Sequence, residues 1–170
     1  MPITRMNHAV LYVRDVARTV AFYREVLGFR VVVEMPGQAA FLQAAASNND
    51  HDLGLFQIGA GAADSAAGRG MVGLYHVAWE VDTLDELERI GAALSERGAL
   101  VGASDHGSTK ALYAKDPDGL EFEVSWLVPA DLLTPGVNTV TTAPLDLVKE
   151  KARYGGGTRG GVGISFPALV

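Results

Sequence analysis

The sequence predicts an α+β fold built from two tandem βαβββ modules. Three observations carry that prediction: strand and helix patterns that run in one order over residues 5–58 and again over residues 71–127, helix-start and helix-stop residues in both halves, and a small, glycine-rich stretch between them. Starting at Met6, MNHAVLYV reads as a strand. DVARTVAFYREVLG then places Val16, Val20, Tyr23 and Leu27 on one helical face, with Asp15 as N-cap and Gly28 as the stop. Three strands follow in FRVVVEM, AAFLQAA and DLGLFQI. Residues 59–70, GAGAADSAAGRG, read as a flexible linker. The order then returns: a strand in LYHVAWEV, a helix from Thr83 with a capping box to Glu86 and apolar Leu87, Ile90 and Leu94, a stop at Gly98, and strands near ALVGAS, TKALYAK and LEFEVSW. Residues 1–127 make one domain in this reading. Residues 128–170 form a C-terminal extension with turn-forming Pro and Gly, a short amphipathic piece and an apolar end, which suits a lid, a dimer arm or a loose tail.

Bulk properties narrow the function. A chain of 170 residues that is 48% hydrophobic has the material for a real core. Fourteen Lys plus Arg against twenty Asp plus Glu give a formal charge of −6, with signs mixed along the chain, which argues against nucleic acid and anionic membrane as partners. Cysteine is absent, so disulfides and thiolate metal sites are excluded, and redox chemistry would need a bound metal or cofactor. The opening MPITRMNHAVLYVRD has no signal-peptide profile, and no apolar run approaches membrane-spanning length. A soluble, cytoplasmic protein is the expectation.

The repeat directs attention to particular side chains. Aligning the first strands matches His8 with His76, an offset of 68 residues. Glu123 lies 47 residues after His76, and the same step from His8 reaches Leu55. A pseudo-twofold pair of modules presents these four strand positions to one central cavity, three of them able to bind a metal and the fourth apolar. Alternation along the last strand packs Leu120, Phe122, Val124 and Trp126 beneath the helices and turns Glu121, Glu123 and Ser125 to the other face. Acidic residues sharing a buried face need a cation or solvent to compensate them. Two imidazoles and one carboxylate form the facial set of non-haem Fe(II) oxygenases, with open positions for a bidentate substrate and dioxygen. A lone strand histidine is more often structural than a ligand. The matched placement in a repeated unit reverses that preference.

The tandem βαβββ order, NHAVLYVRDVARTVAFYREVLGF, YHVAWEV and DPDGLEFE resemble the vicinal oxygen chelate superfamily across residues 5–127. The resemblance implies a cup-shaped mixed sheet around a metal site, with helices outside. That superfamily holds glyoxalase I, fosfomycin-resistance transferases, bleomycin-binding proteins, epimerases and extradiol catechol dioxygenases, so membership alone leaves the reaction open. The implied metal ligands are His8, His76 and Glu123. The two remaining histidines and one tyrosine are most like the extradiol branch: His51 as the acid/base before its strand, Tyr113 as a hydrogen-bond donor to the substrate, and His106 as the histidine preceding the strand of Tyr113. The reading is therefore an Fe(II)-dependent extradiol ring-cleaving dioxygenase, Mn(II) being the alternative ion, acting on a catechol-like aromatic diol with O2. A glyoxalase-type isomerase or epimerase is the second reading. It is weakened because Leu53, Leu55 and Gln57, around the fourth-ligand position, include no carboxylate, although Gln57 offers a neutral oxygen. A non-catalytic protein that binds an aromatic compound or antibiotic is the third. Apolar strand edges and the extra arm favour a homodimer.

Overall fold

The computed structural model describes residues 2–3, 5–68, 70–133 and 141–160. They fold as two compact units, one of Met1–Leu74 with Asp116–Leu120 and the other of Tyr75–Lys115 with Glu121–Val170. Each contains the predicted βαβββ order. Among the described residues no helix is long and apolar enough to cross a membrane.

The first unit runs β1 (Ala9–Val13), α1 (Val16–Leu27), β2 (Arg30–Met35), β3 (Ala39–Gln43) and β4 (Leu53–Gln57), with the strands ordered β1-β4-β3-β2. β1 and β4 are parallel and the other neighbours antiparallel. Helix α1 begins where expected, because the Asp15 carboxylate accepts the Arg18 N–H at 3.0 Å. It ends at Gly28, whose φ of 71° is open to a residue without Cβ, and Phe29 N–H closes the turn onto the Tyr23 carbonyl. Val16, Val20, Tyr23 and Val26 on its inner face meet Leu11, Val13, Leu42, Leu53 and Leu55 in the core. The segment expected to be a flexible linker is tied down in part. Arg14 donates to the Ala62 carbonyl at 3.0 Å and pairs with Asp64 at 2.6 Å, so the arginine that also holds Asp118 fixes the chain after β4.

The second unit runs β5 (Val77–Glu80), α2 (Leu84–Glu96), β6 (Leu100–Asp105), β7 (Thr109–Lys115) and β8 (Glu121–Leu127), followed by a 3-10 turn at Ala130–Leu132, β9 (Ala143–Pro144) and α3 (Leu147–Tyr154). The strand order is β5-β8-β7-β6-β9, with β5 and β8 parallel. Thr83 makes its half of the capping box, accepting the Glu86 N–H at 3.2 Å, while the Glu86 carboxylate pairs with Arg89 one turn on. Leu84, Leu87, Ile90 and Leu94 are buried against the sheet. Alternation in β8 is as read from sequence: Phe122, Val124 and Trp126 are buried in the core, and Glu123 lies on the opposite face. The described part of the extension is packed structure rather than a loose tail, with Trp126 Nε1 donating to the Thr158 carbonyl and Asp85 N–H to the Gly156 carbonyl. The apolar end, residues 161–170, lies outside the described residues.

The turn between β7 and β8 is built by DPDG. Asp116 accepts N–H bonds from Asp118 at 2.8 Å and Leu120 at 2.9 Å through one carboxylate oxygen, and Gly119 takes the φ of 81° that the turn requires. The other oxygen is buried with no hydrogen-bond partner among the described residues, and burial pushes the Asp116 carboxyl up to about 6.

Candidate metal centre

The six residues singled out from sequence fall into two groups. Four of them gather in the second unit. His76 immediately precedes β5, and Glu123 pairs in register with Ala78 on β8, so the parallel ladder carries both to one end of the sheet. Their donor atoms face each other, His76 Nε2 lying 3.2 Å from Glu123 Oε2. Two ligands of a six-coordinate ion with bonds of roughly 2.1 Å stand about 3 Å apart at adjacent corners, so the spacing suits a shared cation. Ser125, two residues along the same face, donates to Glu123 Oε1 at 2.5 Å and fixes the carboxylate plane. His76 Nδ1 is buried and has no partner among the described residues.

Tyr113 is the register partner of Glu123 on β7, and its ring lies 5.9 Å from that of His76. Its hydroxyl is 2.8 Å from His106 Nε2, while His106 Nδ1 is 2.9 Å from the carbonyl oxygen of Thr141. A carbonyl only accepts, so Nδ1 carries a ring proton, and in the neutral ring Nε2 accepts from the tyrosine. The tyrosine, expected to donate to a substrate, has His106 as its hydrogen-bond partner. Burial raises the Tyr113 hydroxyl above the ordinary tyrosine range, with the charge of Glu123 and then Tyr75 adding to it. It stays protonated near neutrality.

His8 and His51 gather in the first unit. His8 immediately precedes β1 as His76 precedes β5, and its Nδ1 is 2.7 Å from Asn7 Oδ1. The His8 and His51 rings lie 4.4 Å apart, and His51 meets the Phe41 ring edge-on at 5.1 Å. The loop carrying His51 is organised by the buried Asp52 carboxylate, which accepts from Ala44 N–H, Ser47 Oγ and Asn49 Nδ2. Asp50 stands 3.2 Å from His51 Nδ1, and the His51 backbone N–H, ahead of the charge of its ring, holds the Asp50 carboxyl below the usual range. Among the described residues no three His, Asp or Glu side chains are drawn together tightly enough to hold an ion.

One positional match needs correcting. The equal step from the histidines pairs Leu55 with Glu123, but the ladders differ by one residue: Ala9 pairs with Leu53, whereas Val77 pairs with Phe122. The structural counterpart of Glu123 is Gly54, paired with Val10 as Glu123 is with Ala78. Leu55 points into the core and is fully buried, because a slip of one residue exchanges the two faces of a strand. Gln57, considered as a neutral oxygen ligand, instead caps α1, its Oε1 accepting the Val16 N–H at 3.1 Å. A cavity of about 260 Å3 in the first unit, beside Tyr12, Arg14 and Ile58, is lined by none of the six residues. Sequence reading missed Thr141 as the partner of His106, since nothing in TVTTAP marks a carbonyl that will reach a ring 35 residues away. Ser125 was legible as a neighbour of Glu123 from strand alternation alone.

With this geometry in place, the comparisons with known proteins define the class. The family model described as the glyoxalase/bleomycin resistance protein/dioxygenase superfamily matches residues 5–124, and the chain belongs to that superfamily. The catechol-2,3-dioxygenase of Bacillus subtilis (strain 168) is 31% identical over 121 residues, which make up 71% of this chain and 41% of that protein. The chain thus spans about two fifths of the length of that relative. Among solved structures, a glyoxylase/bleomycin resistance protein/dioxygenase domain from Frankia sp. EAN1pec superposes with a TM-score of 0.60 at 19% identity, covering 73% of this chain and 92% of that one. A fosfomycin resistance protein from Listeria monocytogenes, solved with Mn(II) and a dihydroxypropylphosphonic acid, gives 0.55 at 17% identity, covering 72% and 90%. These last two likenesses establish the fold. They do not choose among the reactions it hosts.

Proposed function

We propose that the protein is an Fe(II)-dependent extradiol ring-cleaving dioxygenase acting on a catechol-like aromatic diol with O2, working as a homodimer. The observation that carries the reading is the second-unit cluster, in which the facing His76 and Glu123 donors stand beside a tyrosine hydrogen-bonded to a histidine. The similarity to a catechol-2,3-dioxygenase supports it.

In this reading His76 Nε2 and Glu123 Oε2 are two of the iron ligands and His8, in the equivalent position before β1, is the third. When bound, the metal supplies a template for the diol and dioxygen and lowers the pKa of the diol hydroxyls. Every proton step falls to the chain. Tyr113 has committed its hydrogen to His106 Nε2, so its oxygen lone pairs are the groups offered to a substrate hydroxyl, which they orient as acceptors. His51 moves a proton to and from the oxygen atoms of the diol and of dioxygen. An imidazole nitrogen both accepts and donates a proton, so the ring serves in either direction, and Asp50 beside Nδ1 leaves Nε2 as the working nitrogen. Aromatic contacts with His8 and Phe41 hold that ring in place.

The experiment is anaerobic reconstitution with Fe(II) followed by oxygen addition to a panel of catechols. A yellow ring-opened product with matched oxygen uptake is expected. Isomerisation without oxygen uptake, or tight binding without turnover or metal dependence, would each replace this reading. Within an active enzyme, His51→Gln should lower kcat by at least about 100-fold at saturating diol and oxygen, the scale of a lost general acid/base. An unchanged kcat removes His51 from the mechanism.

A further inference from the structure

The C-terminal extension lies beyond the span that the family model matches, yet it reaches the candidate centre. Its strand β9 pairs only Ser104 with Pro144 and Asp105 with Ala143, a ladder too short to hold itself. A buried charge cluster beside it does the holding. Lys110 on β7 is 1% exposed, and its ammonium lies 2.5 Å from Asp105 Oδ1 and 2.9 Å from Glu150 Oε2 on α3. Glu150 is itself 3% exposed. The Tyr154 ring sits 5.7 Å from the ammonium and packs on Trp126 at 5.5 Å. At the surface Lys151 bridges to Asp85 and Glu88 of α2. An ammonium in this position is costly unless paired, and of its two carboxylates Asp105 takes its hydrogen bond while Glu150 of α3 adds a close opposite charge.

Thr141 stands two residues before β9, and its carbonyl is the group that selects the His106 tautomer. Thr142 Oγ1, 3.4 Å from the same nitrogen, is the donor that the opposite tautomer would use. We propose that the extension is a positioning element for the candidate centre: the Lys110–Glu150 pair seats α3 and β9 so that the Thr141 carbonyl holds His106 as the Nδ1–H form and commits the Tyr113 proton to Nε2. The catalytic value of that arrangement rests on the ring-cleavage reading. The tautomer itself does not.

The test is long-range proton–nitrogen NMR of the histidine rings in the full-length, metal-free chain, with the His106 signal assigned by its loss in His106→Gln. Wild type should show a single Nδ1–H form at His106, distinguished by one protonated and one bare nitrogen shift. Glu150→Ala, which leaves Lys110 without its α3 partner, should turn this into a mixture of tautomers. Glu150→Gln, isosteric and neutral, is the variant to use where Glu150→Ala does not fold, and the same mixture is expected at lower amplitude. A wild-type His106 that is Nε2–H or mixed overturns the inference, as does a folded Glu150 variant whose His106 signals are unchanged. Since no iron or substrate is present, absent ring cleavage would leave these spectra standing, and a mixed tautomer would sink the inference even in an active dioxygenase.

Discussion

The two units share one element order and differ in what they set on the open face and edge of their sheets. In the second unit that face carries Glu123, held by Ser125 and opposed by His76, and the outer strand β6 is covered by β9. In the first the corresponding strands present Val10, Tyr12 and Phe56, with Gly54 in the carboxylate's place, and β2 ends the sheet with Val32 and Val33 exposed. Cores and caps are matched far more closely than the faces between them. Burial and capping make the βαβββ unit fold, so both copies keep them, whereas chemistry needs only a few side chains on a surface that folding leaves unconstrained.

That contrast is easiest to break at Leu55. Leu55→Ala should cost about 2–5 kcal/mol of stability in chemical denaturation, the range for a truncated core leucine, and leave iron affinity unchanged. If Leu55 instead contributed to a site, iron binding would move and stability would not. Glu123→Gln should do the reverse. Loss of a ligand should weaken Fe(II) uptake by more than about 100-fold, beyond the cost of losing an outer partner, and the melting temperature of the metal-free chain should move little. A titration showing unaltered uptake removes Glu123 from the metal.

Asp116 sharpens the comparison from the side of stability. Its buried carboxyl, pushed up to about 6, holds its proton more tightly folded than unfolded, so protonation favours the fold. The contribution is fully present below about pH 4, near the ordinary aspartate value, and is lost as pH rises through about 6. Wild type should therefore gain on the order of 2 kcal/mol from this group between pH 7 and pH 4, and Asp116→Asn, which keeps the acceptor for the Asp118 and Leu120 amides, should lose that dependence. Equal pH profiles for the two proteins would show that the carboxyl titrates normally. The smallest effect is expected at Asp64, a largely exposed partner of Arg14, where replacement by Ala should cost less than about 1 kcal/mol in the same denaturation assay.

Much of this was legible in the sequence where local rules operate. Asp15, Gly28 and Thr83 marked helix ends because capping is decided within a few residues, and alternation in LEFEVSW identified the face of Glu123. Leu55 was misplaced because an equal step from a histidine fixes sequence distance, while strand register is fixed by the ladder, and the path into β4 is one residue shorter than that into β8. His106 makes two hydrogen bonds that no spacing encodes. The order within the extension was hidden for a related reason: Lys110 in TKALYAK reads as a surface charge until Glu150 is known to arrive above it.

Gly54 has one more lesson in it. A Cβ at that position would lie 3.4 Å from a Val10 methyl and 3.5 Å from the Phe41 ring, which is ordinary van der Waals contact, so the backbone there accepts a side chain. The lopsidedness of the duplicated pair is therefore a matter of which side chain was placed on a shared scaffold, not of a backbone that refuses one.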